Sequence, residues 1–333
     1  MMKLLKFKKT ISDDEISYLN KLLLINTPIS TCLKLIKGND NNKMIDDILS
    51  NLQTGKTIEE CIQKYIPNKI NDYLLPLSKT MSFSSALDLS ISFYEESKNN
   101  EKRISNSIAY PLGLLFFSLT GLYLFDAYGI DSILGLLNTF NTDLSSFSFS
   151  RTIIRFFIYV VYFGSLIISG LLLFFTRKKR IAFLYVFLSK LLPNSLIQTY
   201  YSQEFISLLL ICRKKGYKTK ESLKILNSIK NVPIISFLAF HLDEMLLEGQ
   251  EFDVAINNRY FDDKLTKYIK IGIHSNDFNE VLENYIELAK TKINKKTKEL
   301  TLFIQLLTYL LIGIIIIFVY EVLFMPMQAL ASY

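Results

Sequence analysis

The sequence predicts an all-α membrane protein: two tandem cytoplasmic six-helix bundles, related as a parallel repeat, with three transmembrane helices. Three observations predict it. The 333 residues are half hydrophobic, with a mean hydropathy of +0.25, yet 21% are charged, which suits neither a compact soluble domain nor an all-membrane transporter. Three apolar runs, Ala109 to Gly129, Ile153 to Phe175 and Leu302 to Phe324, reach the roughly 20 residues needed to cross a hydrocarbon core about 30 Å thick. Finally, the last run is fed directly by a charged helical pattern from Asp277 to Thr301 that no Gly or Pro interrupts, and Ser84 to Arg103 leads into the first run in the same way.

Taken in order, Ser12-Asp13-Asp14-Glu15 reads as a capping box opening a helix whose apolar face is Ile16, Leu19, Leu22 and Leu23. Asn26-Thr27-Pro28 ends it. A second helix carries Cys32, Leu33 and Ile36 and stops at Gly38; a third carries Met44, Ile45, Ile48 and Leu52 and stops at Gly55. Thr57-Ile58-Glu59-Glu60 is another capping box, for a short fourth helix closed before Pro67. Ile70 to Met81 make a fifth, with Pro76 implying a kink or a late start. The sixth becomes the first span.

The second polar part follows the same plan. Ser202 to Arg213 is an apolar-faced helix broken by Lys214-Lys215-Gly216, Leu223, Ile225 and Leu226 follow, and Pro233 to Leu247 is ended by Gly249 as Gly55 ends the third helix. Leu33 and Gly55 are 22 residues apart, Leu223 and Gly249 26, a difference a loop absorbs. A short helix around Val254, one from Asp262 to Ile273 and the long helix from Asp277 complete a second set of six. The second span then returns the chain so that the second copy can start. Ile181 to Leu192, ending at Pro193, is too short to cross and reads as a buried or interfacial helix start.

The implied layout is a first cytoplasmic bundle at 1–104, a span at 105–129, a short external loop at 130–151, a span at 152–176, a second bundle at 177–300, a span at 301–325 and an external tail at 326–333. Basic clusters set the orientation: Lys98, Lys102 and Arg103, then Arg177 to Arg180, then Lys290 to Lys298, all fall on one side. Localisation in the cytoplasmic membrane follows, with the N-terminus inside and the C-terminus outside. Four lysines near the N-terminus flank too few apolar residues for a secretory signal. The surplus of Lys+Arg 38 over Asp+Glu 31 is explained by the flanks of the spans and calls for no nucleic acid. Cys32, Cys61 and Cys212, odd in number and widely spaced, suggest buried thiols in a reducing compartment.

Order, spacing and duplication together resemble the inner-membrane platform proteins of type II secretion systems, type IV pili and competence pseudopili. That family's break and A-L pair resemble Ile25-Asn26-Thr27-Pro28-Ile29 with Cys32-Leu33, and Lys215-Gly216-Tyr217-Lys218 with Ser222-Leu223. Its mid-repeat glycine resembles Gly55 and Gly249. Its G-E-x-S-G-x-L stretch is similar to Gly272-Ile273-His274-Ser275-Asn276-Asp277-Phe278, without the glutamate and the final glycine, and the first copy has lost it near Lys79 to Phe83. The closing Y-x-P turn resembles Leu323-Phe324-Met325-Pro326-Met327, and Leu192-Pro193 also fits. The short N-terminus is most similar to the competence-type branch. Pro28, Gly55, Gly216, Gly249, Gly272 and Pro326 are therefore the expected repeat turns. The resemblance implies a homo-oligomeric scaffold in membrane lipid that docks on a hexameric assembly ATPase and helps extract pilin-like subunits, catalysing nothing and holding no cofactor.

Residue chemistry read alone points the same way. Thr54-Gly55-Lys56-Thr57 lacks the first Walker glycine, Ser50 standing in its place, and follows a helical pattern where a phosphate loop follows a strand. His241 and His274, 33 residues apart, form no metal-ligand spacing, and no nucleophile motif occurs. Asp126, Arg155 and Glu321 fall at similar depth near the outer ends of the three spans; Arg155 could pair with either carboxylate, or each could snorkel separately. Two other classes are weaker fits. A membrane-anchored adaptor or sensor would want a larger external domain than 130–151, and a transporter or membrane enzyme would want polar groups at mid-span.

Overall fold

The structure, a computed structural model, describes residues 10–37, 42–129, 178–192, 195–273 and 277–331, with isolated positions at 135, 152, 155, 156, 159 and 163. The described residues are helical, with no strand among them. Most of the expected second span, the loop before it, Gly38 and His274 lie outside them.

The first six helices are α1 (Asp13–Leu24), α2 (Ile29–Leu35), α3 (Asn42–Gln53), α4 (Ile58–Ile62), α5 (Asn68–Leu77) and α6 (Phe83–Leu124). Both predicted capping boxes form: Ser12 Oγ accepts from Glu15 N while Glu15 accepts from Ser12 N, and Thr57 with Glu60 does the same for α4. The helix α3 thus stands where a phosphate loop would need a strand. Pro76 lies inside α5, one residue before its end.

After α7 (Lys178–Leu191) come α8 (Leu196–Lys214), α9 (Thr219–Ser228), α10 (Pro233–Leu247), α11 (Phe252–Ala255), α12 (Asp263–Ile273) and α13 (Phe278–Ala331). Ser82 caps α6 by accepting from Ser85 N, and Asp277 caps α13 by accepting from Asn279 N and Glu280 N. A phenylalanine follows the cap in each case. Contrary to the expected closing turn, Pro326 lies within α13, which continues to Ala331 through the start of the expected tail. A proline costs one backbone hydrogen bond, and an apolar helix carries that loss without ending.

The chain divides into two compact units, one of Met1–Asn100 with Lys178–Lys292, the other of Glu101–Arg177 with Ile293–Tyr333. Both polar stretches share the first unit. Its core runs through α1 (Ile16, Leu19), α3 (Ile45, Ile48), α8 (Phe205, Leu209) and α10 (Ile235, Leu238), all fully buried or nearly so. Burial at about 25 cal/mol per Å² of apolar surface is the force that holds these amphipathic helices, since those shorter than about 12 residues do not persist alone.

In the second unit the pattern inverts. Tyr110, Phe116 and Phe117 on α6, and Leu302, Phe303, Leu306 and Leu310 on α13, are exposed. Among the described residues one helix, α13, holds a stretch long and apolar enough to cross a membrane, within Phe278–Ile314.

Candidate functional site

Four turns of the first unit are built alike. Gly55, Gly216 and Gly249 have φ of +86°, +92° and +86°, and Asn26 has φ of 59°. At each, the residue after the turn donates five residues back: Lys56 N to Asn51 O, Gln250 N to Met245 O, Tyr217 N to Cys212 O and Thr27 N to Leu22 O, at 3.1–3.3 Å. These are Schellman caps, which need a left-handed residue. Asparagine is the L residue that tolerates that conformation best. Pro28 supplies the N-terminal boundary of α2, with φ of −56°.

Gly272 has a different job. It is helical, in the last turn of α12, and a Cβ there would meet Phe278 Cδ2 at 2.9 Å and Val281 Cγ1 at 3.0 Å. The Phe278 ring is held by the Arg213 guanidinium, 4.9 Å from its centroid, and by an edge contact with Phe252. The residue therefore allows the end of α12 to press on the start of α13.

Between α6, α8 and α13 the first unit has a cleft of about 410 Å³, lined by Glu96, Lys214, Glu283, Glu287 and Lys290 over a floor of Leu210, Ile211 and Ile286. Lys214 Nζ pairs with Glu283 Oε1 at 2.7 Å and Lys290 Nζ with Glu96 Oε1 at 3.2 Å. Beneath it α8 is buried over nine consecutive residues, Ser202 to Leu210. Its polar members are answered from both stretches: Ser97 Oγ donates to Glu204 Oε1 at 2.6 Å, Gln203 Nε2 donates to Glu96 Oε1 and Ser207 Oγ, and Ser202 Oγ accepts from Asp262 N. Asp262, 1% exposed, pairs with Lys292 at 3.1 Å. At the end of α8 Lys215 pairs with Asp88, which also accepts from Asn20. Burial raises the Tyr285 phenol well above its ordinary range, with the Asp262 charge adding to the effect.

Sequence reading gave no site role or partner to Glu96, Gln203, Glu204, Asp262 or Lys292. The signal was present as the polar triplet Ser202-Gln203-Glu204 inside an apolar helix, which amphipathic reasoning assigns to a solvent face. His241, stacked on Phe237 and edge-on to Tyr260, is packed as an aromatic residue.

In the second unit Arg155 Nε lies 3.0 Å from Asp126 Oδ2 and 3.3 Å from Oδ1. Asp126 sits in a π-helical turn, Phe125–Gly129, that follows α6. The side chain of Glu321 lies outside the described residues.

Residues 205–326 match the family model of type II secretion system protein F. Over this stretch, a little over a third of the chain, the protein is similar to that family. A comparison with curated proteins finds no match. The matched stretch begins at Phe205, on the buried part of α8, and ends at Pro326 on α13. It contains Gly216, Gly249, Gly272, Asp262 and Lys292, and it takes in every residue of the cleft except Glu96, which the first stretch supplies.

Proposed function

We propose that this protein is a non-catalytic inner-membrane platform of a pilus-like or type II secretion machine, coupling a cytoplasmic assembly ATPase to the extraction and polymerisation of pilin-like subunits. The observation that carries the reading is the match of 205–326 to the protein F family, together with a last helix that starts in the packed first unit at Phe278 and continues unbroken into an apolar stretch. Members of that family are inner-membrane platform proteins. On this reading α1–α6 and α8–α13 are two copies of one six-helix unit, supported by the matched order of helices and Schellman turns. The apolar runs 109–129, 153–175 and 302–324 are three spans, both polar stretches face the cytoplasm, and copies of the chain associate.

The long helices α6 and α13 carry motion from the ATPase side into the bilayer, because an unbroken helix transmits rotation where a loop absorbs it. Two measurements test this. The detergent-solubilised protein should copurify with a hexameric ATPase, and its failure to do so would remove the coupling role. A Pro-Gly pair inserted between Lys295 and Lys296 should abolish filament or pseudopilus assembly and leave ATPase binding intact; normal assembly would refute transmission through α13. The Asp126–Arg155 pair ties the first span to the second. Arg155→Ala should weaken assembly, and unchanged assembly in the Arg155→Ala, Glu321→Ala double variant would dismiss any role for the pairing.

A further inference from the structure

Helix α7 presents two faces of opposite meaning. Tyr185 and Ser189, one helical turn apart, are buried, and Tyr185 Oη donates to the Tyr260 carbonyl while its ring meets Tyr201 edge-on at 5.2 Å. That contact fixes the rotation of the helix on the first unit. Opposite it stand Phe183, Phe187 and Leu191, spaced by four and 71%, 55% and 64% exposed, with Lys190 exposed beside them. At 100° per residue Phe183 and Phe187 each lie about 160° from Tyr185, so the stripe cannot turn inward without undoing the tyrosine contact.

We infer that this stripe lies in the cytoplasmic surface of the bilayer, with α7 as an interfacial helix parallel to the membrane. The inference rests on the reading of 153–175 as a span. From Phe175 to the first residue of α7 is three residues, a reach of about 10 Å at most, so the helix starts where the chain leaves the hydrocarbon. Lys178, Lys179 and Arg180 open it, the charge that anionic headgroups attract. Its apolar part, Ile181–Leu191, would cover about 16 Å, half of a hydrocarbon core. Too short to cross, with apolar side chains on one face and basic residues at its start, α7 fits a helix lying about 5–10 Å into the headgroup and acyl boundary. The anchored Tyr185 then ties the packed first unit to the bilayer surface at a point separate from α6 and α13.

The chain contains no tryptophan, so a single one reports its own surroundings. Phe187→Trp and, separately, Phe163→Trp in the full-length protein would be reconstituted into vesicles of phosphatidylethanolamine and phosphatidylglycerol. Lipid brominated high on its acyl chains should cut Phe187→Trp emission at least twofold, and aqueous acrylamide should have little effect. Strong quenching by acrylamide would mean a water-facing helix and would overturn the inference. Shielding from both quenchers would overturn it as well, because a second copy or another protein would then cover the stripe. If brominated lipid fails to quench Phe163→Trp, the span fails and the interfacial helix falls with it; quenching at 163 but not at 187 rejects the interfacial helix alone. Leu191→Trp serves as the second reporter on the same stripe should the first variant fold poorly.

Discussion

Helices α1 and α8 open the two sets of six in the proposed repeat, yet they live in different surroundings. Helix α1 buries Ile16, Leu19 and Asn20 and leaves the rest of its twelve residues wholly or partly in water, the ordinary condition of an amphipathic helix. Helix α8 is buried on every side from Ser202 to Leu210 and carries Gln203 and Glu204 within that run. A buried carboxylate without partners costs several kcal/mol, so α8 is tolerable only because Ser97, Glu96 and Asp262 answer it from α6 and from the loop before α12. The two stretches therefore share one compact unit: polar side chains of the first stretch meet Glu204 Oε1 and Gln203 Nε2 inside the second.

The largest expected effect tests that depth. Burial pushes the Tyr201 phenol and the Cys212 thiol each up to about 12, and raises Tyr185 and Tyr285 further above their usual range. All four belong to the second stretch or to α7. A group held protonated by the fold contributes stability that is complete below its unfolded pKa and is lost as pH rises toward its folded one. The window here opens at about 9 for the thiol and about 10 for the phenols. Thermal unfolding followed from pH 8 upward should show the midpoint falling steeply above about pH 10, with tyrosinate absorbance from these residues appearing together with unfolding. A midpoint flat to pH 11 would mean that water reaches α8.

Next in size is Asp262→Ala, which should cost about 3 kcal/mol, because it strands the Lys292 ammonium, one-quarter exposed, without its buried carboxylate partner. Lys292→Met should cost less if introduced into the Asp262→Ala background than alone, and denaturant titration of the double-mutant cycle measures the difference. Additive losses would show that the two side chains do not act as a pair. Gly272→Ala follows, at about 1–3 kcal/mol, from overpacking against a Phe278 ring that Arg213 and Phe252 hold in place. The first stretch has buried Leu77 six residues before Phe83, the place Gly272 holds before Phe278, so the same substitution pressure has no counterpart there.

What the sequence disclosed follows from the range of the interaction. Ser12 with Glu15, Thr57 with Glu60, and the three cap glycines act over fewer than six residues, and each stands where periodicity and capping rules put it. The apolar run of α13 was equally plain from composition. Gly272 was legible as a glycine next to a polar stretch, the signal of a turn, but its close approach to Phe278 was not. Pro326 misled because a proline reads as a stop in any helix, whereas α13 absorbs it. Glu204, Gln203 and Asp262 were invisible because partners 107 and 60 residues away decide their burial, and no local pattern encodes that distance.

The smallest effect is the most discriminating for the proposed repeat. Asn26 and Gly216 occupy the same place in two Schellman caps, each donating three residues back, to Leu23 O and to Arg213 O. Their φ values, 59° and +92°, differ within the left-handed region. If the two turns are copies of one design, the residues should be interchangeable: Gly216→Asn and Asn26→Gly should each shift stability by less than about 0.5 kcal/mol, since asparagine tolerates the conformation and glycine adopts it freely. Gly216→Val at the same place should cost more than 1 kcal/mol, because a β-branched side chain there is a steric outlier. A Gly216→Asn loss as large as that of Gly216→Val would mean that the second turn is held in a conformation asparagine cannot reach, and the equivalence of α1–α2 with α8–α9 would lose its most local support.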